Sequence, residues 1–110
     1  MVVSKQIRTE IEKIVRKIVE GYSPERIILF GSYAYGKPDS ESDIDLLIIK
    51  KTSERFIDRW TSVRHIVSDP KRTVPFEPIV LTPEEVEQRL AVGDQFIEEI
   101  ITKGEVLHAG

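Results

Sequence analysis

Two acidic residues, Asp43 and Asp45, precede an apolar run at positions 46–49. In a strand, residues i and i+2 point to the same face, so these carboxylates project together from backbone positions about 7 Å apart. Like charges at that spacing repel each other unless a cation compensates for them. Mg²⁺ and Mn²⁺ prefer such hard oxygen ligands, and the pair therefore indicates a divalent-cation site.

A glycine and a serine, Gly31 and Ser32, follow another apolar segment at positions 26–30. Glycine lets the backbone turn and approach a ligand closely, and the amides and hydroxyl that follow it can hold phosphate oxygens. Taken alone, each feature is usually an ordinary turn or a solvated loop. Together, a phosphate cradle and a metal-binding carboxylate pair are the minimum apparatus for phosphoryl or nucleotidyl transfer.

The elements that must position these residues follow from periodicity and from helix and turn signals. A helix whose charged face is expected to be solvated is predicted over 4–20, with Ser4 as its N-cap. The later predictions are a strand at 26–30, a short helix at 32–35 closed by Gly36, a strand at 43–49, a helix at 53–68, a strand at 74–81, one or two helices at 83–102 interrupted at Gly93, and a short strand at 105–107.

The helix at 53–68 is expected to carry Phe56, Ile57, Trp60, Val63 and Val67 on one side. Pro78 removes a ladder donor and predicts an edge strand or a bulge. The pattern indicates an α/β (α+β) fold, a small mixed β-sheet flanked by helices.

The bulk composition restricts the partners that the chain can have. Its 110 residues indicate a single domain, 1–110, and 40% hydrophobic residues suffice for one core. The net charge of −3 argues against direct nucleic-acid binding, and the absence of cysteine excludes thiolate chemistry. No apolar run is long enough for a membrane span, and a cytoplasmic location is expected. His65 and His108 have no partner at ligand spacing and are predicted to lie at the surface.

The spacing of Gly-Ser, ten residues and Asp-x-Asp resembles the signature of the DNA polymerase β-like nucleotidyltransferase superfamily. The length and the late strand running into Thr82 are similar to its minimal branch, the MntA-type antitoxins. The resemblance covers most of the chain and implies the polymerase β-like nucleotidyltransferase fold. It also implies that Ser32 and the Gly31 backbone hold the β- and γ-phosphates of a nucleotide.

The resemblance further implies two metal ions, expected to be Mg²⁺ with Mn²⁺ as an alternative, held by three carboxylates. Asp43 and Asp45 match the first two. The third is usually an aspartate on a later strand, where this chain offers Glu77. Glu77 shares a strand face with Ile79 and Leu81, so it is either a metal ligand or a charge that faces water at the sheet edge.

The chain departs from the family at two further positions. Relatives often read Gly-Ser-x-Ala-Arg-Gly, whereas Tyr35 stands here in place of the arginine and Tyr33 in place of a frequent basic residue. Lys37 is expected to replace part of the arginine's role in nucleotide binding. The two tyrosines either stack on a base or pack against the first helix, and packing is favoured.

By resemblance, the chain is expected to transfer AMP from ATP, or a nucleotide from another nucleoside triphosphate, to a hydroxyl. The expected acceptor is a tyrosine of a partner HEPN-domain toxin of the HepT type, which makes the chain an antitoxin that acts as a homodimer or in a hetero-oligomer. The alternative is a catalytically weak or inactive module that neutralises its partner by occlusion, which Tyr35 and Glu77 favour. A transferase for a small molecule is a weaker hypothesis, because such relatives carry a further substrate-binding domain.

Overall fold

The computed structural model describes residues 5–36, 38–39, 42–72 and 74–110. Along these residues the elements are α1 (Lys5–Tyr22), β1 (Arg26–Phe30), α2 (Ser32–Tyr35), β2 (Ile44–Ile49), α3 (Phe56–Ile66), β3 (Phe76–Leu81), α4 (Pro83–Ala91), α5 (Gln95–Lys103) and β4 (Glu105–Ala109). The predicted order is confirmed, with boundaries that shift by a few residues. The predicted N-cap Ser4 lies outside the described residues. None of the described helices is both long and apolar enough to cross a membrane.

The four strands form one mixed sheet in the order β3-β2-β1-β4. β1 runs antiparallel to both β2 and β4, whereas β2 and β3 are parallel. The predicted small mixed sheet flanked by helices is therefore confirmed. β3 lies at an edge, which is where a strand can accommodate Pro78 and its missing amide hydrogen.

Both faces of the sheet are covered, which explains the continuous apolar runs of the central strands. One face packs against α1 and α3, through Ile14 and Val63 among others. The opposite face packs against α4 and α5, through Val86, Ile97 and Ile100. Side chains alternate between the faces along each strand.

The start of α4 is held by local capping bonds. The Thr82 hydroxyl accepts from the Glu85 amide at 3.1 Å, and the Thr82 amide donates to the Glu85 carboxylate at 2.8 Å. Pro83 occupies the first turn, where its missing amide hydrogen is not needed. The predicted interruption at Gly93 is also confirmed, since Gly93 has φ +78° between α4 and α5.

The predicted shared face of α3 is wrong in part. Val63 and Val67 are buried, but Phe56, Ile57 and Trp60 are 53%, 58% and 37% exposed. Arg59 is buried instead, at 7% exposure. Its guanidinium donates to the carbonyl of Glu54 at 2.9 Å and to the Glu85 carboxylate at 2.6 Å. These bonds turn the helix so that a charged residue, rather than the apolar ones, faces the sheet.

The charged face of α1 is also less solvated than the sequence suggests. Arg8 forms a two-bond ion pair with Glu105 on β4. Glu10 lies 3.3 Å from Arg72, and both side chains are largely buried. Long-range partners of this kind give no signal in the periodicity of a helix.

Replacing Arg59 with alanine is expected to destabilise the protein by about 2–3 kcal/mol, because the change leaves Glu85 without its buried partner. The matched control is Arg55→Ala. Arg55 pairs with Asp58 at 3.0 Å, but its side chain is 81% exposed. An exposed pair contributes at most about 0.5 kcal/mol. Urea unfolding of both variants tests the difference, and equal losses would contradict it.

Candidate functional site

The C-terminal end of β1 and the N-terminal ends of β2 and β3 lie side by side at one end of the sheet. We call this end the acidic edge, because Asp43, Asp45 and Glu77 lie there. β1 ends at Phe30, while the neighbouring β2 runs in the opposite sense and begins at Ile44. Asp45 is the register partner of Phe30 on one side and of Glu77 on the other. The strand pairing thus places Asp45 and Glu77 side by side on the same face. Asp43, two residues earlier, precedes β2 directly.

Gly31 is the position with the strictest steric requirement at this edge. It has φ +76° and ψ −160°, a conformation essentially restricted to glycine. A Cβ atom built there would overlap the Asp45 Oδ2 oxygen. The absence of a side chain therefore lets the Asp45 carboxylate lie directly against the backbone of Gly31. The structure thus brings two of the predicted site residues into contact.

The predicted short helix after Gly31 is present as a single turn. The carbonyl of Gly31 accepts from the amides of Ala34 and Tyr35, both at 3.0 Å. Gly36 closes the turn in the left-handed conformation, at φ +78°. Ser32, at the first position of the turn, is half-buried at the same edge of the sheet.

The electrostatics of the edge are dominated by acidic groups. Burial, together with the like charges of Asp43 and Glu77, raises the pKa of Asp45 to about 6. Two causes therefore disfavour the charged form of this carboxylate in the metal-free protein. A bound cation would remove the repulsion, which is the reason the carboxylates were predicted to hold one.

Glu77 has the water-facing position that was one of its two predicted alternatives. Its side chain is 53% exposed, and its Oε1 lies 3.7 Å from the Nη1 of Arg64. Arg64 also donates to the carbonyl of Phe76 at 2.8 Å and lies over the ring of Trp60. The edge position of β3 explains the exposure. Arg64 is a charged neighbour of the site that sequence reasoning missed, because nothing in a helical repeat links it to a strand residue.

A divalent cation such as Mg²⁺ requires several oxygen ligands close together. Within residues 5–36, 38–39, 42–72 and 74–110, no three acidic or histidine side chains stand close enough together to form a metal site. The carboxylate oxygens of Asp43, Asp45 and Glu77 are ligands of the type that Mg²⁺ prefers, and the mutual repulsion of these charges favours a bound cation. The residues thus fit the ion in chemistry, but their side chains are not gathered around one point in this conformation, and Glu77 is paired with Arg64 instead.

The two tyrosines of α2 have different environments. Tyr33 is 8% exposed and packs in the core with α1, as predicted, and its hydroxyl lies 3.4 Å from the carbonyl of Ser42. Tyr35 is 37% exposed, so the packing prediction is wrong for this residue. Burial and the carboxylates of Glu99 and Asp45 raise the pKa of Tyr35, against a lowering by the Gly31 backbone. Tyr35 points away from Tyr33, toward the candidate site, because residues i and i+2 of a helical turn do not share a face.

The remaining residues singled out in the sequence are Lys37 and the two histidines. Lys37 lies outside the described residues, so its predicted role stays a prediction. His65 is exposed on α3, as expected. His108 is half-buried in β4 opposite Ile27, less exposed than the surface prediction implies, because β4 joins the sheet.

Residues 8–107 match the family model for the nucleotidyltransferase domain, and the chain belongs to this family. The fold and the acidic edge agree with the match. The predicted family is confirmed.

Two relatives come from Methanocaldococcus jannaschii, and both carry the provisional name protein adenylyltransferase. The chain is 32% identical to one over 87 residues, which cover 74% of this chain and 59% of the relative. It is 43% identical to the other over 47 residues, which cover 43% of this chain and 42% of the relative. The chain thus spans about half the length of the curated relatives that it matches.

Two solved structures share the fold. One, provisionally described as a nucleotidyltransferase from Sulfolobus solfataricus, has a TM-score of 0.59 and 27% identity, covering 76% of this chain and 75% of that one. The other is a mutant of the toxin–antitoxin MntA–HpeT, with a TM-score of 0.63 and 19% identity, covering 89% of this chain and 72% of that one. At that identity the second likeness concerns the fold alone.

Proposed function

We propose that this chain is a Mg²⁺-dependent adenylyltransferase that moves AMP from ATP to a tyrosine hydroxyl of a partner HEPN-domain toxin and acts as its antitoxin in the cytoplasm. The observation that carries the proposal is the Asp45 carboxylate, which lies against Gly31 and in register with Glu77. The names of the archaeal relatives support AMP as the transferred group, and the MntA–HpeT neighbour supports a toxin as the partner.

In the proposed reaction, the acceptor oxygen bonds to the α-phosphorus of ATP, and the bond between the α- and β-phosphates breaks. Pyrophosphate leaves, and the proton of the hydroxyl passes to solvent. Mg²⁺ held by Asp43, Asp45 and Glu77 would supply charge neutralisation at the phosphates and a lower pKa of the attacking hydroxyl.

The chain's own residues have separate tasks in this reaction. Gly31 lets the phosphate chain approach the backbone closely, and Ser32 offers a hydroxyl donor beside it. Asp45 orients the reacting end of the nucleotide, because its carboxylate is held against Gly31. Glu77 stands on the outer side, at the edge strand from which an acceptor can approach.

A cavity next to Arg64, the ion-pair partner of Glu77, suits an incoming segment of a protein. This cavity of about 440 Å³ adjoins the start of β3 and is lined by Arg64, Arg72 and Phe76. Arg64, which lines this cavity, would release Glu77 when another anion pairs with Arg64 instead. An acceptor segment with an acidic residue near its tyrosine would occupy the cavity and would also supply this anion.

The direct test is transfer of label from α-labelled ATP to the candidate toxin partner in the presence of Mg²⁺. We expect label on the partner with the native chain, none with Asp43→Asn, and undiminished label with Asp58→Asn. Asp58 is a suitable control because it is an aspartate on α3 paired with Arg55 outside the site.

The second candidate function is neutralisation by occlusion, favoured by the ion pair between Glu77 and Arg64, which occupies the third carboxylate. The same experiment separates the two. If the native chain and Asp43→Asn inhibit the partner equally and neither labels it, the proposed enzymatic function is wrong and the chain acts as a binding module.

A further inference from the structure

Aromatic side chains gather on the sheet face that carries Asp45. Phe30, the register partner of Asp45, is 7% exposed. The ring of Phe96 on α5 meets it edge to face, with centroids 5.6 Å apart. Tyr35 lies close to the carboxylates of both Asp45 and Glu99. The acidic edge therefore continues directly into an aromatic surface.

Phe96 keeps half of its surface exposed, at 50%, while Ile97 and Ile100 of the same helix are buried. α5 is thus held on the sheet by its isoleucines, and the free side of the phenylalanine ring is available to a ligand. Large aromatic rings contribute most when such a surface becomes covered.

Phe96 adjoins the acidic edge through a single intervening residue. Its ring contacts Phe30, and Phe30 is the register partner of Asp45 in the neighbouring strand. The exposed ring is therefore one residue removed from the carboxylate beside which the proposed function places the phosphates.

We propose that the exposed side of Phe96 stacks on the base of the bound nucleoside triphosphate, and that Tyr35 borders the same subsite. The inference rests on the proposed function, which supplies the phosphate end of the ligand. Stacking needs a flat π surface rather than particular hydrogen bonds, and a purine offers a larger one than a pyrimidine. The subsite thus selects purine nucleotides by contact area.

The test compares the binding of ATP with the binding of inorganic tripolyphosphate, which has no base, by titration calorimetry with Mg²⁺. Phe96→Ala is expected to weaken ATP binding about tenfold and to leave tripolyphosphate binding unchanged. Phe96→Trp is expected to restore ATP binding. The matched control is Phe56→Ala, since Phe56 is 53% exposed on α3, against the opposite face of the sheet, and should leave both ligands unaffected.

The outcomes separate this inference from the proposed function. Native ATP affinity in Phe96→Ala overturns the base subsite and leaves the nucleotide site standing. An equal loss for ATP and tripolyphosphate assigns Phe96 to holding α5 in place, which also overturns it. If the native chain binds neither ligand, the proposed function fails together with the subsite.

Discussion

Asp45→Asn is expected to abolish AMP transfer and, at the same time, to stabilise the metal-free protein. Transfer should fall by about a thousandfold or more, because the change removes a proposed ligand of the cation that would neutralise the phosphates. The same carboxylate is costly to the fold, because it is partly buried between Asp43 and Glu77. Activity and stability therefore make opposite demands on this residue.

The sign of the stability effect follows from the raised pKa. An acid with a pKa of about 6 in the folded state binds its proton more tightly than in the unfolded state, where the value is about 4. The stability that this tighter proton binding contributes to the folded state is fully present below about pH 4 and is lost as the pH rises through about 6. Asparagine carries no such charge, so the variant should be more stable at pH 7 by about 1 kcal/mol after solvent screening.

Thermal unfolding of the metal-free proteins between pH 4 and pH 7 measures this difference. The native chain should lose stability across that window relative to Asp45→Asn, with a gap of several degrees in Tm at pH 7. Asp58→Asn is the control for both readouts, because its carboxylate lies on α3 outside the acidic edge. Parallel pH profiles for the native chain and Asp45→Asn would refute the electrostatic account.

The second large effect is expected for Gly31→Ala, which should reduce both stability and transfer. The φ of +76° and the overlap with Asp45 Oδ2 together should cost roughly 2–4 kcal/mol of stability. Relief of the overlap would displace the Asp45 carboxylate by about an ångström, and transfer should then fall about a hundredfold.

Gly93→Ala provides a matched control. Gly93 has a nearly identical φ of +78°, but a Cβ atom there meets nothing within 4 Å among the described residues. It should cost about 1 kcal/mol and leave transfer unchanged. A double-mutant cycle in chemical denaturation adds a sharper test, because Gly31→Ala should cost less when Asp45 is also alanine. Additive losses would show that the carboxylate is not the source of the cost.

Much of the fold was accessible from local patterns. The interruption at Gly93 and the edge strand that Pro78 indicated depend on a few neighbouring residues, and both were confirmed. The errors share another cause. The environments of Arg59 and Glu10 depend on partners in distant elements, Glu85 and Arg72, and helical periodicity does not encode such partners.

The sequence by itself determined the family, the order of the elements and the identity of the residues at the acidic edge. Those features follow from the spacing of Gly31, Asp43 and Asp45, because alternation in a strand and the freedom of glycine are local properties. Only the tertiary structure decided that the Asp45 carboxylate lies against Gly31, that Arg64 pairs with Glu77, and that Phe96 packs against Phe30 with half of its surface exposed. These relations depend on strand register and helix packing, which join residues far apart in the chain.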